Sequence, residues 1–264
     1  MDRTVEGLRI TIEAGVATLT IDRPDVRNAM TYDMWAGMAA DCDELAGDDD
    51  VRVLVVTGAG GHFCAGADIG GLAHDPAELK AVNRRAERAL AEFPKPTVAF
   101  ISGACVGGGC EIAIACDVRI ADTTARFGIT PARLGALYPE FALERLVALV
   151  GPSSAKHLLF TGELFDAPTA LGMGLVNEVH QPEPARARLG AVTDTLAHRR
   201  SQLSLQGTKA MVDAAAAGGI PAELAGRWFA EMAAGPDMSE GIAAFGEGRE
   251  PHFSWTRPLT ITKR

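Results

Sequence analysis

The chain has 264 residues, of which 47% are hydrophobic and 22% charged, a balance that fits one large globular domain or two small ones around a real core. Its formal net charge of −9 argues against nucleic acid as a partner, because phosphate backbones are held by basic surfaces. Asp, Glu or Arg interrupts every apolar run short of a membrane span, and the opening MDRTVEGLRI lacks the apolar stretch of a secretory signal, so a cytoplasmic protein with no membrane partner is expected.

The chain opens with two strand-like segments, LRITIEAG and VATLTID, joined at the Ala14–Gly15 turn. Thr31 is placed to cap a helix running to about Leu45, with apolar residues at Met34, Met38 and Leu45. VRVLVVTG, from Val51 to Gly58, is a continuous apolar run rich in β-branched residues, the pattern of a buried parallel strand. DPAELKAVNRRAERALAEF, from Asp75 to Phe93, reads as a helix that is basic on one side. Strand patterns recur at TVAFISG (Thr97 to Gly103), DVRIAD (Asp117 to Asp122) and GLVNEVH (Gly174 to His180). From Pro184 onward strand signals vanish, and helices are expected near residues 185–198, 203–217, 222–234 and 239–247. The order predicts an α/β body over residues 1–183, with parallel strands, and a helical region over 184–264.

Two glycine-rich loops stand at the ends of expected strands: TGAGGHFCAGADIGG after Val51–Thr57, and GACVGGGCE after Thr97–Ser102. Ligands of open α/β sheets gather at the carboxyl ends of strands. The first loop begins G-x-G but has Phe63 where a dinucleotide fingerprint needs its third glycine, and no G-K-[ST] follows, so neither a Rossmann site nor a P-loop is supported. In the second loop, Gly107, Gly108 and Gly109 would keep a helix start clear of side chains, leaving its backbone amides and partial positive charge open to an anionic atom. One N–H from each loop could then converge on one oxygen. Glu111 follows in the first turn of an apolar helix. Burial should raise its pKa towards a value suited to proton transfer; on spacing alone it serves equally as a complement to the helix dipole. Asp68 reads as a turn or cap residue. Cys42, Cys64, Cys105, Cys110 and Cys116 are odd in number and include no C-x-x-C pair, the pattern of free thiols; no metal site is expected. His62 reads as an exposed loop residue.

Together, HFCAGADI, GACVGGGCEIAIACDVRIA and RFGITPARLG resemble the crotonase family, the enoyl-CoA hydratases and isomerases. IDRPDVRNAM, LLFTGELFDAPTALGMGLVNEV and EGIAAFGEGREPHF extend the resemblance from about Leu8 to Phe253. It implies the crotonase (ClpP/crotonase-like) spiral of ββα units, followed by a helical C-terminal region that builds homotrimers or hexamers as dimers of trimers. It implies an acyl-CoA substrate, with coenzyme A as part of that substrate and no separate cofactor. By the same resemblance the amides of Ala67 and Gly108 form an oxyanion hole for the thioester oxygen, and Glu111 handles a proton. Ala65 contacts the adenine, Gly66, Asp68 and Ile69 belong to the same CoA-binding stretch, Arg27 meets the CoA phosphates, and Phe245 forms an apolar wall towards a neighbouring subunit.

The sequence departs from that pattern near Glu250, where relatives often carry a lysine that helps hold CoA, and again at the second carboxylate. Hydratases carry a second glutamate in F-G-x-P-E-x-x-L-G; here Phe127 to Gly135 is FGITPARLG, with Pro131 at that position. A single-carboxylate isomerase, a hydratase in which Glu140 supplies the second carboxyl, and a catalytically silent acyl-CoA binder all remain open. So does a decarboxylase: FGITPARLGALY is similar to the segment of methylmalonyl-CoA decarboxylases that pair a glutamate with a tyrosine, matching Glu111 and Tyr138, although those enzymes have a histidine where this chain has Ala67.

Overall fold

The computed structural model describes residues 5–68 and 75–256. β1 (Leu8–Glu13) and β2 (Val16–Ile21) form an antiparallel hairpin whose turn places Ala14 at φ 47° and Gly15 at φ 79°, the paired left-handed geometry that matches strand twist. Thr31 accepts the Met34 amide at 3.2 Å and starts α1 (Tyr32–Gly47). β3 (Val53–Gly58) follows, then α2 (Pro76–Ala91), whose start is capped by Asp75.

β4 (Thr97–Ile101) leads into a short β5 (Ala104–Val106) and then α3 (Gly108–Ala115), all eight of whose residues are buried. β6 (Val118–Asp122) and β7 (Arg126–Gly128) repeat the step. The main sheet, among the described residues, runs β1-β2-β3-β4-β6 and ends in β9 (Glu178–His180), with every pairing after the hairpin parallel. That last strand is shorter than GLVNEVH predicts. Gly174 takes φ 80° and Leu175 and Val176 bury into the core before the chain pairs at the sheet edge.

A second sheet has three strands. β7 pairs in parallel with β5 and antiparallel with β8 (Leu164–Asp166). Single bridges at Cys64–Cys105 and Met30–Ala67 continue its direction into the first glycine loop. α4 (Glu140–Thr161) has no counterpart in the sequence reading: Gly151 breaks it at φ 74°, ψ 164°. Pro152 then opens its second half, where a missing amide hydrogen costs nothing. α5 (Ala167–Gly172) precedes β9.

The C-terminal helices are α6 (Pro182–Asp194, continued by a π turn over Thr195–Arg199), α7 (Gln202–Ala216), α8 (Ala222–Ala234) and α9 (Asp237–Glu247). α6 closes one sheet face, with Ala185 and Ala197 against Val53, Val55, Val98, Phe100 and Ile120. The last helices gather around Leu203, Trp228 and Trp255. Lys209 of α7 ties them to the sheet through Asp117 at 2.7 Å. Among the described residues, no helix is long and apolar enough to cross a membrane.

Candidate active site

The two glycine loops meet at the rim of the second sheet. Met30 donates to the Gly66 carbonyl and accepts the Asp68 amide, both at 2.8 Å. In such a parallel bridge the middle residue, Ala67, turns its own N–H to the opposite side, the side on which Gly108 lies. A Cβ built on Gly108 would stand 3.4 Å from the Ala67 nitrogen, and one on Gly66 would stand 3.4 Å from the Gly108 nitrogen. The two amide nitrogens therefore lie side by side. Ala67 is exposed while Gly108 behind it is buried. Gly107 caps α3 at φ 53°, a conformation that costs glycine little. Trp35 of α1, fully buried, backs Gly108 so closely that any side chain there would come within 2.9 Å of its ring.

Side chains beneath the loops fix this backbone. Asn28, buried at φ 62°, gives its amide hydrogens to the carbonyls of Ala59 (2.8 Å) and His62 (2.6 Å) and accepts from Arg23 N–H. Arg23 in turn holds Asp68 at 2.9 Å and the Ala29 carbonyl at 2.7 Å. His62 is a half-buried pin between the loops, not a free surface residue: its Nδ1 accepts the Ala104 amide at 3.0 Å. All five cysteines are buried and unbridged. Burial holds the Cys64 thiol at about 12, so it is a packed, protonated thiol rather than a nucleophile.

Glu111 is 5% exposed, one turn into α3. Asn83 of α2 donates Nδ2–H to its Oε2 at 2.9 Å. Burial pushes its pKa up, as its apolar sequence neighbours imply, while Asn83 and a second carboxyl pull it down. That carboxyl is Glu87, one helical turn beyond Asn83 and 2% exposed. Among the described residues no hydrogen-bond donor faces either of its oxygens. It lies within hydrogen-bonding reach of Glu111, and burial followed by the Glu111 charge raises its pKa to about 9. Tyr138 neighbours the two carboxyls: it is 8% exposed, its buried hydroxyl has no hydrogen-bond partner among the described residues, and its ionisation is opposed first by burial and then by Glu111. It does not present its hydroxyl to solvent.

The sequence reading did not single out Glu87. Its signal lay in α2, where Val82, Ala86 and Leu90 form the buried stripe and Asn83 and Glu87 stand within that stripe rather than on the basic face.

Glu140, the candidate for a second carboxyl, is engaged elsewhere. It sits at the start of α4, half exposed, and pairs with Lys80 (3.0 Å) and Arg84 (3.5 Å). Its helix-end backbone and Lys80 hold it below the usual carboxylate range. Pro131 opens a largely exposed 3₁₀ turn, Pro131–Leu134, that carries no acid. Arg27, exposed at φ 51°, accepts the half-buried Ala65 amide on its carbonyl at 2.9 Å. Phe245 on α9 is 90% exposed. Ile69 lies outside the described residues.

A buried carboxyl, Glu111, thus follows within one helical turn of the Gly108 amide, which lies beside the Ala67 amide of the other loop. The sequence profile of the enoyl-CoA hydratase/isomerase family matches residues 11–256, and the chain belongs to that family, with its crotonase fold. It is 34% identical over 260 residues to the crotonyl-CoA hydratase of Syntrophomonas wolfei, covering 94% of this chain and 98% of that protein. It is 29% identical over 275 residues to the peroxisomal Δ(3,5)-Δ(2,4)-dienoyl-CoA isomerase of Arabidopsis thaliana, covering 96% and 97%. A crystal structure of an enoyl-CoA hydratase/isomerase family member superposes with a TM-score of 0.89 at 39% identity, covering 95% of this chain and 99% of that one.

Proposed function

We propose that this protein is an enoyl-CoA hydratase or isomerase, and that Glu111 is its acid–base residue. The observation that carries the reading is a buried carboxyl three residues past an open glycine amide that faces a second amide from another loop. A thioester oxygen between Ala67 N–H and Gly108 N–H gains most from those donors when it becomes an enolate. Such donors are worth about 3–4 kcal/mol of barrier each, and only interactions that strengthen in the transition state raise the rate. Glu111, desolvated and held by Asn83, takes up and returns the proton at carbon. The exposed Arg27, with Ala65, Gly66 and Asp68 nearby, suits the phosphates and adenine of CoA. Apolar side chains left exposed on α8 and α9, Phe229, Met238, Ile242 and Phe245, suit burial in a homotrimer, which in turn sets Phe245 against a neighbour's CoA.

A second reading is favoured by one observation: Tyr138 reaches the pocket of Glu111 with an unsatisfied hydroxyl, the pair expected of an acyl-CoA decarboxylase. Incubation with crotonyl-CoA in heavy-oxygen water, and separately with methylmalonyl-CoA, distinguishes them by mass. Label uptake that Glu111→Gln abolishes, with acyl-CoA binding kept, is expected of a hydratase. Deuterium uptake at carbon in a parallel incubation in heavy water, without oxygen label, marks an isomerase, and carbon dioxide release marks the decarboxylase. Failure of the wild type to bind or turn over any acyl-CoA refutes the proposal.

A further inference from the structure

The family's second carboxyl is absent at Pro131, yet a second carboxyl is in the pocket, reached from α2 instead of from the turn after β7. Glu87 lies within hydrogen-bonding reach of Glu111, one turn from the asparagine that already donates to Glu111, and neither of its oxygens faces a donor among the described residues. Two buried carboxylates cannot both be charged side by side, so such a pair holds one proton between them. The choice of which keeps it follows from the neighbours. Glu111 receives the Asn83 amide hydrogen, which favours its charged form. Glu87 receives none.

We propose that Glu87 is a positioning acid: it stays protonated and donates its hydroxyl hydrogen to Glu111, so that Glu111 meets the substrate as an oriented carboxylate base. The proton on Glu87 is not consumed. Glu111 takes a proton from the substrate or from water and returns one, while Glu87 and Asn83 hold the same carboxylate from behind. The other groups around Glu87 fit this order. From α4, Arg145 favours charge on Glu87 and Glu140 opposes it, but Glu140 is already engaged by Lys80 and Arg84. Tyr138 is neutral, its ionisation opposed first by burial and then by Glu111. Asp43 of α1 pairs with Arg85 on the outer face of α2. The raised pKa of Glu87, about 9, agrees with a proton kept through the neutral range.

The effect on turnover rests on the acyl-CoA reading above; the shared proton does not. Two experiments separate them. In the first, the pH dependence of kcat/KM is compared in wild type, Glu87→Gln and Glu87→Leu. Glutamine keeps a donor and cannot ionise, so it retains activity within a few-fold at neutral pH and lacks the alkaline limb near pH 9. Leucine removes the donor, and the acid limb set by Glu111 moves up by about one to two pH units, the worth of one hydrogen bond to a charged group. Identical limbs in all three proteins overturn the proposal, since a side chain that only fills space moves stability and not the profile. In the second, carbon-13 NMR of glutamate-labelled, ligand-free protein follows each carboxyl with pH. One glutamate titrating near 9, absent in Glu87→Gln, supports the shared proton even if no acyl-CoA is turned over; no glutamate titrating above the ordinary range overturns it.

Discussion

Replacing Gly108 by alanine tests the oxyanion geometry directly. The added Cβ stands 2.9 Å from Cζ2 of Trp35 and 3.4 Å from the Ala67 nitrogen. The first distance is shorter than real Cβ contacts, and Trp35 is fully buried within the main core, so the start of α3 must yield by a few tenths of an ångström. The second places a methyl group beside the opening into which a thioester oxygen must fit. Overpacking of this kind costs about 1–3 kcal/mol of stability. Loss of one oxyanion donor costs about 10²- to 10³-fold in kcat. The expected result is a folded protein with kcat for an enoyl-CoA substrate down at least about 100-fold. Gly190→Ala on exposed α6, where a Cβ meets nothing within 4 Å, serves as the control and stabilises by about 1 kcal/mol through helix propensity. A Gly108→Ala enzyme within threefold of wild type would refute the convergence of the two amides on substrate.

The remaining expectations concern stability and assembly. Glu87 is held neutral in the fold up to about 9, whereas an unfolded glutamate ionises near about 4.3. Its contribution is fully present below the lower value and is lost as pH rises towards the higher one. Glu87→Gln should therefore gain stability over wild type by up to about 1.4 kcal/mol per pH unit across that window, and parallel denaturation curves at pH 5 and pH 8 would contradict it. Asn28→Ala removes the three hydrogen bonds of a buried side chain and should cost about 2–4 kcal/mol in urea unfolding; Asn28→Gly, which keeps the left-handed backbone but not the bonds, should lose nearly as much. Ile242→Glu on α9 puts a charge on the apolar face assigned to assembly and should shift sedimentation towards a single chain, while a wild-type protein that sediments as a monomer rules that assignment out.

The hairpin, the Thr31 cap, the apolar strands and the glycine loops were legible because each is a local pattern: a turn, a capping hydroxyl, a β-branched run. Glu111 was legible for the same reason, as an acid at the head of an apolar helix. α4 was not, because Pro139, Gly151 and Pro152 read as breakers, and only the folded chain shows that one break lies between two helical stretches packed as a unit. Glu87 was hidden for a different reason. It is 24 residues from Glu111 in the sequence, on a helix whose basic residues drew attention to the other face, and the pairing exists only where α2 crosses α3. Glu140 looked suitable by proximity along the chain, but the lysine and arginine that claim it come from α2, a relation that no spacing rule contains.

The bridges Met30–Ala67 and Cys64–Cys105 tie the two glycine loops into one hydrogen-bonded lattice. In the proposed site, polarisation of the ligand oxygen rests on main-chain N–H groups, which every residue except proline carries. The side chains to which the proposals above assign the proton, Glu111, Glu87, Asn83 and Tyr138, stand on α2, on α3 and at the approach to α4, outside that lattice. A substitution among them can redirect the chemistry while leaving the electrophilic half of the site intact, so that a change of reaction in this fold does not require a change of scaffold.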